Sequence, residues 1–99
     1  MFVSAKVVAV KSEGDISHVA IRYLHKGSEI ELFEKFRSRE AMSSLFEAAD
    51  VNPADGPSKL QGKKLAIDVV ERSNRSLAIS GYKKEVVLEP FELEVKFPY

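Results

Sequence analysis

Hydrophobic and polar residues alternate with a period of two along most of this chain, the signature of strands with one buried face. The stretch "FVSAKVVAVK" (residues 2–11) is β-branched and aliphatic, and "SEGD" (12–15) breaks it with turn chemistry. "ISHVAIRYL" (16–24) puts Val19, Ile21 and Tyr23 on one face and His18, Ala20 and Arg22 on the other. In "HKGS" (25–28), Gly27 is expected to supply the positive φ of a tight turn. A third strand, "EIELFEKFR" (29–37), turns Ile30 and Leu32 to the core. Phe33 lies on its opposite face with Glu31 and Lys35. Tight turns between the three predict an antiparallel meander.

From residue 38 the period lengthens. In "SREAMSSLFEAADV" (38–51), Met42, Leu45, Phe46 and Ala49 recur at the spacing of one helical face. Ser38 is the expected N-cap, and Glu40 sits in the first turn, where the helix dipole favours an anion. Pro53, Gly56 and Pro57 are expected to end the helix. Alternation returns in "KLAIDVVE" (64–71), with Leu65, Ile67 and Val69 inward, and in "SLAISGY" (76–82), with Leu77 and Ile79 inward. "RSNR" (72–75) joins them, with Asn74 expected to take a left-handed backbone. "EVVLEP" (85–90) predicts a further strand or edge segment stopped at Pro90. In "FELEVKF" (91–97), Phe91, Leu93, Val95 and Phe97 alternate with charged residues.

Composition narrows the class. Ninety-nine residues, 44% hydrophobic and 30% charged, predict one small globular domain over 1–99, with a barrel over 1–89 and a terminal strand or arm over 90–99. No apolar run approaches the ~18–20 residues that span a bilayer, and the start "MFVSAKVVAV" lacks the features of a signal peptide, so a cytoplasmic location is expected. Without cysteine there is no disulfide framework and no thiolate ligand or nucleophile. The net charge of zero argues against holding nucleic acid through overall charge, yet the charge is segregated. Residues 51–84 carry seven basic and three acidic groups, whereas residues 85–99 carry one and four. Lys59, Lys63, Lys64, Arg72 and Arg75 bracket a single apolar strand.

Three strands, a helix and two more strands is the element order of the OB-fold, a five-stranded, partly open Greek-key barrel. A β-grasp domain would place two strands before its helix, a pleckstrin-like barrel would end on it, and an SH3-like barrel would lack it. The runs "GSEIELFEKFRS", "REAMSSLFEAA" and "KLQGKKLAIDVV" resemble those of small phage-type OB-fold single-stranded-DNA-binding proteins, in element order over residues 2–84. The resemblance implies a mainly β barrel with one short helix between strands three and four; the alternation of "FELEVKF" adds an extra C-terminal strand, a departure from such proteins, which often carry a flexible acidic tail there. It further implies a non-catalytic protein that binds single-stranded DNA, or RNA in its place, with little sequence preference. The setting would be phage or mobile-element DNA replication or recombination.

On such a barrel the ligand lies across strands two and three, flanked by the loops after strands one and four. Phe33, Tyr23 and Phe36 are the aromatic candidates for base stacking; Tyr23 and Phe36 share parity with core residues, which leaves core packing as their alternative. Lys35 and Arg37 share the face of Phe33, although Glu29 and Glu31 lie there too. Arg72 and Arg75 at the fourth loop, Lys63 and Lys64 at the start of strand four, and Tyr82 where the chain leaves strand five complete the nucleic-acid candidates. The competing reading of these cations is a solvated hairpin rim. His18 and His25 have no cysteine or carboxylate partner in sequence, and no phosphate loop, nucleophile elbow or zincin motif occurs, so no enzyme, metal, cofactor or small-molecule substrate is expected. The apolar face of Phe91, Leu93, Val95 and Phe97 packs on the chain's own barrel or adds to a neighbour, giving a homodimer or partner docking.

Overall fold

The computed structural model describes residues 2–85. Of "EVVLEP" only Glu85 is described; its remaining residues and "FELEVKF", with Phe91, Leu93, Val95 and Phe97, fall outside the described residues. Five antiparallel strands, β1 (Phe2–Glu13), β2 (Ile16–His25), β3 (Ser28–Phe36), β4 (Lys64–Glu71) and β5 (Leu77–Lys83), form one sheet in the order β3-β2-β1-β4-β5. Helix α1 (Ser43–Ala49) stands between β3 and β4, preceded by a 3₁₀ turn at Glu40–Met42. The sheet curls into a half-barrel. Its edge strands approach one another where the rings of Phe36 on β3 and Tyr82 on β5 lie 6.4 Å apart.

β1 is the axis of the sheet because it is paired on both sides: with β2 along most of its length and with β4 over Phe2–Lys6. A bulge at Val8 interrupts the β1–β2 register between Val7 and Ala9. The extra residue resets the alternation, so that Val3, Ala5 and Val7 face the core before the bulge and Val10 after it. A second bulge lies at Ser80, because Asp68 pairs with Gly81 while Val69 pairs with Ile79. Ser80 is anchored there by a 2.8 Å hydrogen bond from its hydroxyl to the Asp68 carboxylate.

The inner face and the helix form one core. Val7, Val19, Ile21, Met42, Leu45, Phe46, Leu60, Leu65 and Ile67 are fully buried, each worth about 1.5–3 kcal/mol of transfer free energy. The helical face expected from the sequence, Met42, Leu45, Phe46 and Ala49, is the buried one. Ser38 caps the helical segment as expected, its hydroxyl accepting from the Ala41 N–H at 3.2 Å. The stop comes earlier than the prolines suggested. Asp50 adopts a left-handed backbone (φ 58°). The N–H groups of Asp50 and Val51 bond back to the carbonyls of Glu47 and Phe46, a Schellman ending with aspartate where glycine is usual.

Two turns carry further non-glycine residues at positive φ. In the β2–β3 turn Lys26 (φ 52°) accompanies the expected Gly27 (φ 84°), the backbone of a type I′ hairpin. In the β4–β5 turn it is Arg75 (φ 66°), not Asn74, that is left-handed. Asn74 serves instead as a side-chain acceptor for the Ser76 N–H and hydroxyl.

Candidate nucleic-acid interface

The outer face of β1, β2 and β3 is organised by register. Phe33 pairs with Ala20, and Ala20 with Ala9, so the ring stands in a cross-strand row with two alanines. Their small side chains leave the ring 76% exposed beside a shallow apolar depression of about 190 Å³. The next row toward the β1–β2 turn is Lys11–His18–Lys35. The row on the other side is Lys64–Lys6–Arg22–Glu31, across four strands. A base-sized ring therefore sits between two rows that carry cations.

These cations are not equivalent. Arg22 is committed to Glu31, which accepts from its Nε at 3.2 Å and from its Nη2. That hydrogen bond and the Glu31 charge hold the Arg22 proton more tightly than usual, with Glu29 adding to the effect. Lys11 is paired with Glu13 at 3.3 Å. Lys6, Lys35 and Lys64 have no ion-pair partner among the described residues. Their ammonium groups are therefore the ones free to meet a phosphate without first breaking a bond.

The other aromatic candidates turn away from this face. Tyr23 is 4% exposed, and its ring belongs to the core with Val19 and Ile21. Burial pushes its phenol above the usual range, and its hydroxyl has no hydrogen-bond partner among the described residues. Phe36 packs half-buried against Tyr82 at the seam between the sheet edges. Tyr82 faces inward because the Ser80 bulge shifts the parity of β5, so that it pairs with the buried Ile67. Its phenol is raised by burial and, secondarily, by the Glu34 charge. None of the three presents a ring beside Phe33.

The basic residues around β4 separate into two groups. Lys64 opposes Lys6 and joins the outer face next to Phe33's row. The neighbouring backbone is locked to β1 by the bonds Val7 N–H to Lys63 O (2.9 Å) and Gly62 N–H to Val7 O (2.7 Å). Arg72 and Arg75 lie instead in the turn at the far end of β4, beyond the Asp68–Phe2 pair and on the opposite edge of the sheet. They occupy the turn after β4, where the sequence places them, and the register sets that turn outside the cross-strand rows beside Phe33. Arg37 lies just past β3, exposed in the bend that leads to the helix, where strand alternation no longer fixes its face. Lys6, Lys11 and His18 had escaped selection because only the pairing of β1 with β2 brings them beside Phe33.

Among the described residues no group of three or more His, Cys, Asp or Glu side chains could hold a metal ion, and no helix is long and apolar enough to cross a membrane. No protein-family model, curated protein or solved structure matches the chain.

Proposed function

We propose that this protein binds single-stranded nucleic acid, DNA in the first instance, on the outer face of β1–β3 and without catalysis. The observation that carries the reading is the exposed Phe33 ring on its alanine row, set between Lys11–His18–Lys35 and a row that begins with the Arg22–Glu31 pair and continues to Lys6 and Lys64, two and three strands away. A flat ring stacks on any base, and flanking ammonium groups neutralise the backbone on both sides, a combination that tolerates any sequence. The strand order β3-β2-β1-β4-β5, with the helix between β3 and β4, supports reading the half-barrel as an OB-type fold. Glu29 and Glu31 limit the basic surface at the β2–β3 turn, so the strand runs toward Lys35 and Lys64 rather than over that turn.

Fluorescence anisotropy of labelled oligo-dT at two salt concentrations tests the proposal. Affinity is expected to fall as salt rises, with a slope of about −0.7 per phosphate neutralised. Absence of binding at low salt would overturn it.

A further inference from the structure

Phe33 has a counterpart at the other end of the same face. The large apolar side chains that the described residues leave exposed, Phe2, Leu24, Phe33 and Val70, all lie on the outer parity of the sheet. Phe2 is the second ring among them, 39% exposed. It reaches across β4, with its Cζ 3.7 Å from where a side chain on Gly81 would begin. The ring thus lies along the sheet, within ordinary van der Waals reach of β5. The Lys83 ammonium sits 4.3 Å from the ring centroid. Both arrangements depend on the Ser80 bulge, which sets Gly81 opposite Asp68 and turns Lys83 outward.

Between the two rings runs the outer side of β1: Phe2, Ser4, Lys6, then past the Val8 bulge to Ala9 and Lys11. Lys64 flanks Lys6 on one side and Arg22 on the other. Carboxylates border this track as well, Glu29 and Glu31 along β3 and Asp68 beside Phe2. Glu31 is engaged by Arg22 and Asp68 by Ser80. From Phe2 to Ala9 the track covers about 23 Å of strand, and Phe33 lies two strands to the side.

We propose that Phe2 is a second base-stacking position, and that a bound single strand runs diagonally from Phe33 over Lys6 and Lys64 to Phe2 and Lys83. The proposal rests on the single-strand-binding reading above and extends it to a footprint on the order of four to eight nucleotides, within the span of one such domain. A cation over an exposed ring is held more weakly than a stacked base, so a base displaces the Lys83 ammonium, which then pairs with the adjacent phosphate. Charge favours this occupant over a second copy of the chain. Lys6, Lys64 and Lys83 would face their own like charges across a symmetric contact, whereas a polyanion meets all three.

The test is anisotropy with dT3 and dT12 on the wild type, Phe2→Ala, Phe2→Trp and Phe33→Ala. Phe2→Ala should weaken dT12 about fivefold or more while leaving dT3 within twofold. Phe2→Trp, which keeps a stacking ring, should bind dT12 like the wild type. Phe33→Ala should weaken both. If dT12 binds but responds to Phe2→Ala no more than dT3 does, the second position is overturned while single-strand binding stands. If neither oligomer binds the wild type at low salt, both readings fall. Light scattering covers the remaining occupant: concentration-dependent dimerisation that Phe2→Ala abolishes would make this face an interface between copies and overturn the proposal.

Discussion

The two faces of this sheet are built from the same strands and do opposite work. Along β2, Val19, Ile21 and Tyr23 are buried, while His18, Ala20 and Arg22 face outward. On β3, Ile30 and Leu32 pack on the core, while Phe33 and Lys35 stand in solvent. A ring on the inner face gains stability from the water it leaves. A ring on the outer face contributes almost nothing to folding and remains available to a ligand. Tyr23 and Phe33 are thus nearly equivalent in sequence as aromatic strand residues and unlike in consequence. Which one a ligand can reach is decided by parity.

Substitutions on the two faces should therefore separate stability from binding. The largest effect is expected for Tyr23→Ala, which removes a buried ring and should cost about 3–5 kcal/mol in urea unfolding. Phe33→Ala should stay within about 0.5 kcal/mol in the same measurement. Equal losses would break the distinction between the faces.

A smaller effect is expected at high pH. Burial raises the Tyr82 and Tyr23 phenols above the ordinary tyrosine value of about 10. The unfolded chain therefore loses these protons first, and unfolding releases protons above about pH 10. Stability is full below that pH and should fall as pH rises, by at most about 1.4 kcal/mol per pH unit for each tyrosine. Tyr82→Phe should flatten the decline; an unchanged decline would place Tyr82 outside the interior.

Lys64 belongs to the outer face and should read out only in binding. Lys64→Ala is expected to reduce the salt slope for oligo-dT by about 0.7, the share of one phosphate, without a change in melting temperature. The smallest effect belongs to the β4–β5 turn, apart from either face. Arg75→Asn puts a residue tolerant of left-handed backbone at φ 66° and should stabilise the fold by roughly 0.5 kcal/mol in thermal unfolding.

Periodicity made most of this fold legible. The strand faces, the helical stripe of Met42, Leu45, Phe46 and Ala49, and the Ser38 cap are local patterns, and local patterns survive folding. What the sequence could not show is how strands register on one another. One extra residue at Ser80 turns Tyr82 inward and Lys83 outward, and simple alternation from Leu77 and Ile79 places both on the wrong side. Lys6, Lys11 and Lys64 are far from Phe33 in sequence and join its face of the sheet only through the pairing of β1 with β2 and β4. The cation-rich β4–β5 turn drew attention because charge density is visible in one dimension. The row of Ala9, Ala20 and Phe33 was invisible because small residues on three strands form a floor only in register.

The most direct test sets that row against the turn. Affinity for an oligo-dT of about eight nucleotides should be measured at low salt for Phe33→Ala and for Arg72→Ala/Arg75→Ala, side by side with the wild type. Loss of the ring is expected to weaken binding by 1–3 kcal/mol, about 5- to 150-fold, with the arginine pair leaving it within twofold. An arginine variant that loses binding while the ring variant keeps it would contradict the account.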